Sequence, residues 1–221
     1  MPDQVKVIIA RYTEDVSWAD ELGYDYVVYD KGGDCGNECM SLPNIGREAH
    51  SYFTHIVREY DQLADVNVFV QGDPFDHIDQ HGGGDVEMLR SIIADVVDRG
   101  APFRGFAWFR LNCDRLGRPH DLHDPKYQGR WAGWGKDIPV GEVYESLFGA
   151  PCPEKIIARG LTGNFAVTRD RIRVRPVSFY ERALRMTEAD PDDAGNTGHA
   201  FERLWQHIFN GSPTLNRSDD S

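Results

Sequence analysis

Apolar and polar positions along this chain switch between two periods. Val5 to Ala10, Val-Lys-Val-Ile-Ile-Ala, is a short run rich in β-branched residues and predicts a strand. Glu14 to Leu22 follows with helical spacing and stops at Gly23. Tyr26 to Asp30 is a second strand, and a loop rich in Gly, Asp and Cys runs from Lys31 to about Asn44. From Gly46 to Tyr60 the residues Ala49, Tyr52, Phe53, Ile56 and Tyr60 recur at steps of three and four, which predicts a helix with one buried face and Asn44 as its N-cap. Val66 to Gln71 has the continuous apolar character of a buried parallel strand. Asp85 to Arg99 is a second amphipathic helix, with Met88, Leu89, Ile92, Ile93 and Val96 inward and Gly100 as its stop; Phe103 to Phe109 then predicts a strand.

Strands and helices in alternation predict an α/β fold with a mixed, mainly parallel sheet flanked by helices. Right-handed crossovers bring the loops after Ala10, Asp30 and Gln71 to one edge. Ligands bind at that edge in open α/β sheets. The second half is less regular. Asn112 to Gly135 is long, polar and punctuated by His120, Trp131 and Trp134. Helices are expected at Val140 to Phe148, Ser178 to Met186 and His199 to Phe209, with an acidic loop from Thr187 to Gly198. Gly163 to Thr168 and Ile172 to Arg175 have the pattern of a strand or hairpin. Residues 1–210 are expected to form one domain, and residues 211–221 a polar tail.

Charge and cysteine content narrow the function. The net charge of -12 argues against general nucleic-acid binding, though not against a small basic pocket. No apolar run approaches the ~20 residues of a membrane span, and no secretory signal is visible, so the expected location is cytoplasmic. Four cysteines form only one close pair, Cys35 and Cys39, where a four-cysteine zinc site needs two. Free thiols are the expectation, with a local Cys35–Cys39 bond as the alternative.

The chemistry collects where the run Val66 to Gln71 ends in Gly72-Asp73-Pro74-Phe75-Asp76-His77. Two carboxylates and an imidazole at a strand's carboxyl end can hold a divalent cation, and a cation can hold phosphates. The same residue types also make ordinary turns.

The order of segments resembles the GT-A glycosyltransferases. Val5 to Asp15, with its Ala10-Arg11-Tyr12-Thr13-Glu14-Asp15 turn, is similar to their opening strand. Tyr29-Asp30-Lys31-Gly32 resembles the end of their second strand, where an acidic residue meets the nucleobase. Asn44 to His50 resembles the helix start that carries an Arg before the metal motif, and Gln71 to Asp76 stands where their Asp-x-Asp motif would be. Gly163 to Arg169 resembles the acceptor-side strand, and Phe201 to Trp205 the late acidic helix. The chain also looks like an uncharacterised domain-of-unknown-function family of similar length, which shares Ala-Arg-Tyr-x-Glu-Asp, Lys-Gly, Asn-x-Gly-Arg-Glu-Ala and Phe-x-Gln-Gly-Asp-Pro. One departure stands out: Gln71 occupies the first position of the metal motif, and Asp73 and Asp76 lie three apart.

What the resemblance implies is transfer of a sugar from a nucleotide-activated donor to a glycan or other hydroxyl acceptor. Ala10, Arg11, Tyr12, Asp30, Lys31 and Arg47 would bind the nucleotide. Arg47, near a helix start, suits a diphosphate, since backbone N–H groups and the dipole favour an anion there; its alternative is an ion pair with Glu48. Mn²⁺ or Mg²⁺ would sit on Asp73, Asp76, His77 and His207. Glu202 is the candidate general base, partial burial raising its pKa, with Asp76 and Asp73 as alternatives; the competing role is a surface pair with Arg203 or Arg182. Trp131 and Trp134 could stack on sugar faces or fill a core, and Asn164 completes the substrate set. His81 with Gly82-Gly83-Gly84 forms a lid or an ordinary loop. Two other classes compete: a non-catalytic nucleotide- or sugar-binding protein on the same fold, and another nucleotide-dependent transferase. A Walker loop and a Gly-x-Ser-x-Gly elbow are both absent from the sequence.

Overall fold

The β-branched run at the start of the chain becomes the strand between the two other predicted parallel strands. The computed structural model describes residues 4–36, 38–109, 111–118, 137–158 and 162–210. Its elements run β1 (Val5–Arg11), α1 (Trp18–Leu22), β2 (Asp25–Asp30), β3 (Met40–Ser41), α2 (Arg47–Glu59), β4 (Val66–Gln71), α3 (Phe75–Ile78) and α4 (Val86–Arg99). They continue with β5 (Phe103–Gly105), β6 (Leu111–Cys113), α5 (Val140–Phe148), β7 (Ile156–Ala158), β8 (Phe165–Thr168), α6 (Arg169–Arg173), α7 (Val177–Glu188) and α8 (Thr197–Asn210).

The main sheet has six strands in the order β3-β2-β1-β4-β8-β5. β1 pairs in parallel with β2, Ile8 opposite Val27, and with β4, Ile8 opposite Phe69. β3 pairs in parallel with β2. β8 is antiparallel to both β4 and β5. The result is a mixed sheet with helices on both faces, and the three predicted strands are parallel neighbours. β6 and β7 form a separate antiparallel pair.

Successive side chains along a strand point to opposite faces, and the two faces differ in kind. Val7, Ile9, Val68 and Val70 pack with Trp18, Leu22, Leu89, Ile93 and Val96 beneath α1 and α4. Ile8, Tyr29, Phe69 and Phe165 pack with Tyr52, Phe53, Phe201, Trp205 and Phe209 beneath α2 and α8. Trp205 lies at the middle of that second layer, its ring 5.1 Å from Phe53 and from Phe165 and 5.9 Å from Tyr52.

Several expectations are corrected. The helix expected from Glu14 is only Trp18–Leu22, because Glu14 Oε2 accepts from the N–H groups of Tyr12 and Thr13 and Asp15 accepts from Ser17 N. The cap position of α2 is Gly46 rather than Asn44, with no side-chain cap bond; Gly46 and Arg47 both have positive φ, +58° and +51°. Ile172 lies in α6, so the segment after β8 turns helical instead of forming a hairpin; Thr168 caps it by accepting from Arg171 N. The strand expected through Phe109 stops at Gly105. Phe75–Ile78 is a short helix that the turn residues before it concealed. Cys35 and Cys39 are joined in a disulfide, Cα atoms 6.0 Å apart, where free thiols were expected. No described helix is long and apolar enough to cross a membrane.

Candidate functional site

The carboxyl ends of β1, β2 and β4 open into a cleft of about 410 Å³. Ala10, Arg11, Tyr12, Lys31, Arg47 and Asp73 all line it. The parallel register accounts for this, since Ala10 lies opposite both Tyr29 and Gln71, and all three chains leave the sheet at one level. The cleft adds Glu14, Asn44, Glu48 and Gln71, which were not among the expected site residues.

The three cations of the cleft differ in how far they are already committed. Arg11 is fully engaged. Its Nη1 donates to Asp30 Oδ1 at 2.7 Å, Asp34 Oδ1 at 2.6 Å and Tyr12 O at 3.2 Å, and its Nε to Glu14 O at 2.8 Å. Asp30 is buried and also accepts from the N–H groups of Gly32 and Gly33, so both its oxygens hold the loop after β2. Arg11 is thus part of the cleft wall, and Asp30, an expected nucleotide-binding residue, is buried behind it and outside the lining. Lys31 Nζ donates to Ile45 O at 2.5 Å and to Arg47 O, tying the end of β2 to the turn before α2. Burial pushes the Lys31 ammonium down to about 8, partly opposed by Glu48.

Arg47 is held only by two long ion pairs, one of them the expected alternative with Glu48. Its Nε lies 3.9 Å from Glu48 Oε2 and its Nη2 3.9 Å from Glu202 Oε1, both beyond hydrogen-bond range. Nε is buried with no hydrogen-bond partner. The side chain is 35% exposed, so the guanidinium meets the open cleft. The positive φ values of Gly46 and Arg47 set the entry of α2, and a Cβ on Gly46 would sit 2.5 Å from Thr187 Cβ. The stem of Arg47 lies against Gly198, where a Cβ would come within 2.8 Å of its Cδ.

Two carboxylates flank Arg47. Glu48 is buried, and its Oε1 has no hydrogen-bond partner. Burial, then the charge of Glu202, pushes its carboxyl well above the usual carboxylate range, against the opposing effects of Arg47 and Lys31. Gly163, at φ +76°, backs onto it, and a Cβ there would lie 2.8 Å from Glu48 Cγ. Tyr52 donates from its hydroxyl to Gly163 O at 2.9 Å and fixes that approach. Glu202, the expected base, is also buried, on α8, and accepts from Arg203 Nη1 at 3.4 Å. A signal for Glu48 existed: it precedes Ala49 and stands four residues before Tyr52, on the apolar stripe of α2.

The expected metal ligands do not converge. Among the described residues no three His, Cys, Asp or Glu side chains are grouped so as to hold a metal ion. Asp73 lines the cleft, but its Oδ1 accepts from Phe75 N and caps the turn into α3. Asp76, on α3, is exposed, and His77 follows it. His207 is buried with its ring edge-on to Tyr144 of α5, centroids 5.9 Å apart.

Asn164 is buried, accepts from Gln71 N at 2.9 Å and donates to Thr162 Oγ1 at 3.2 Å, so its side chain ties β4 to the loop before β8. Trp131 and Trp134 lie outside the described residues. Cys113 is a buried thiol that burial pushes up to about 12, which does not suit a nucleophile. A second recess of about 240 Å³ lies between Val27 and Tyr29 of β2 and the last turns of α2, where the Tyr29 hydroxyl pairs with His55 Nδ1 at 3.0 Å.

No curated protein and no solved structure matches this sequence. A family model does match, over residues 7–220, nearly the whole chain. The chain belongs to that family, described as proteins of unknown function (DUF3431).

Proposed function

We propose that the cleft binds the diphosphate of a nucleotide-activated sugar and that the protein is a glycosyltransferase acting on a glycan or other hydroxyl acceptor. The observation that carries this is Arg47, a cleft-facing guanidinium with a buried, unpartnered Nε beside a second cation, Lys31. A guanidinium matches phosphate oxygens with two parallel hydrogen bonds, and its free donors would otherwise be costly to bury. The parallel strand ends and the mixed sheet agree with the resemblance to GT-A enzymes. In this scheme Arg47 and Lys31 stabilise charge on the leaving diphosphate as the bond from the anomeric carbon to its phosphate oxygen breaks. Asp73, the alternative base and an exposed carboxylate of the cleft lining, accepts the proton of the attacking hydroxyl as the new carbon–oxygen bond forms, since Glu202 is buried and outside that lining. The non-convergent metal ligands favour, as a second reading, a nucleotide- or sugar-binding protein without catalysis.

Calorimetry against a panel of nucleoside diphosphates tests the binding. At least one should bind, and Arg47→Ala should weaken it by about 1.5–3 kcal/mol, the range for hydrogen bonds to charged groups. Unchanged affinity in that variant removes Arg47 from the site, and a wild-type protein that binds none of the panel overturns the proposal. Release of free sugar from the matching donor separates the enzyme from the binding protein.

A further inference from the structure

Glu48 and Glu202 reach the same guanidinium from different elements, one from the first turn of α2 and one from α8. Their surroundings are unequal. Glu202 accepts a hydrogen bond from Arg203, whereas Glu48 Oε1 has no hydrogen-bond partner. Both are buried, and only Glu48 lines the cleft. A buried carboxylate oxygen without a hydrogen bond is costly, and the cheapest relief is a proton. Protonation also changes what the group can do: an ionised carboxylate only accepts, while a carboxylic acid donates.

Charged and titratable groups face Glu48 from every side. Lys31 comes from the end of β2, Arg47 and Tyr52 from its own helix, and Glu202 with Arg203 from α8. Across the cleft stand Arg11, already neutralised by Asp30 and Asp34, and the carboxylates Glu14 and Asp73. Among the described residues of the loop before β8, Gly163 approaches it with its backbone. With both glutamates ionised, Lys31, Arg47 and Arg203 leave this inner cluster with one net positive charge; with Glu48 protonated they leave two. A diphosphate carries more than one negative charge, so its entry favours the protonated form.

We propose that Glu48 and Glu202 act as one charge-coupled carboxyl pair flanking Arg47, and that a diphosphate entering the cleft draws a proton onto Glu48, which then meets the ligand as a hydrogen-bond donor. Glu48 thereby sorts ligands: a di- or trianionic phosphoryl group is accepted, and its arrival is linked to proton uptake. This rests on the reading of the cleft as a diphosphate site.

Two measurements test it. The first needs neither ligand nor variant. Carbon-13 spectra of the glutamate carboxyls across a pH titration should show one buried group that keeps its proton beyond the ordinary carboxylate range; if every glutamate titrates normally, the pair does not exist. The second is calorimetry with uridine diphosphate, guanosine diphosphate and inorganic pyrophosphate, in buffers of different ionisation enthalpy. Wild type should take up more protons than Glu48→Gln, by up to about one per ligand. The affinity of wild type should fall relative to that variant by up to about tenfold per pH unit above the Glu48 range. Titration of the phosphate is common to both proteins and cancels; because Glu48 also raises Lys31, the comparison is repeated in a Lys31→Arg background, where that contribution is absent. Equal uptake overturns the coupling alone. Failure of all three ligands to bind wild type overturns the reading of the cleft, and the coupling with it.

Discussion

The two faces of the main sheet solve different problems. The face beneath α1 and α4 is aliphatic, with Val, Ile and Leu side chains and Trp18 as its largest ring, and those two helices bury no ionisable side chain. The face beneath α2 and α8 is aromatic and buries Glu48, His50, His55, Glu202, Arg203 and His207. One side is a scaffold. The other spends hydrophobic burial to hold charge where it would not otherwise remain. Large rings suit that task, because each buries much area while a few polar edges, such as the Tyr52 hydroxyl, position backbone near the charged groups.

Truncation should expose the contrast most strongly at Trp205. Trp205→Ala removes the ring that touches Phe53, Tyr52 and Phe165, and should cost about 3–5 kcal/mol in denaturant unfolding. It should also loosen the cleft, because Tyr52 holds Gly163 against Glu48. A loss near that of a surface substitution would show that the aromatic layer is not the stabilising half.

Acid should attack the same face next. Burial, with Lys31 beside His50 and with Lys6 and Arg58 near His55, pushes each imidazole down to about 4. Unfolded histidines bind protons near pH ~6.5, so the unfolded chain takes up protons first as pH falls. Stability contributed by the neutral rings is complete above that pH and is lost progressively down to about 4. Urea unfolding should show a loss on the order of 3 kcal/mol for His55 alone across that window, since each unit is worth about 1.4 kcal/mol. His55→Gln should flatten the profile; an unchanged slope would assign the acid loss elsewhere.

The smallest effect belongs to the scaffold face. Ile93→Val deletes one buried methyl on α4 and should cost about 0.5–1.5 kcal/mol. Diphosphate affinity should not change, as nothing connects that methyl to the cleft. A variant of equal stability loss that also weakened binding would erase the distinction between the faces.

The same comparison shows what could be read from the chain and what could not. The strands around Val7, Val28 and Val68 and the helices α2 and α4 were legible, because period and burial agree over enough residues. The meeting of Ala10, Arg11, Lys31, Arg47 and Asp73 in one cleft was legible too, because parallel crossovers put those ends on one edge. The short helices α3 and α6 were not, since four or five residues carry too little pattern against turn chemistry or β-branched character.

The sequence by itself determined the alternating elements, the parallel neighbours and the edge at which the chemistry collects, because local periodicity and chain connectivity suffice for these. Tertiary structure alone decided which charges are free to act. Arg11 and Arg47 are the same residue type at neighbouring strand and helix ends. Asp30 and Asp34 close on one, and only a 3.9 Å approach from each of two buried glutamates leaves the other open. Hydrogen-bond partners and burial are set by residues far apart in the chain, so no local pattern could have distinguished the arginine that builds the wall from the one that faces the ligand.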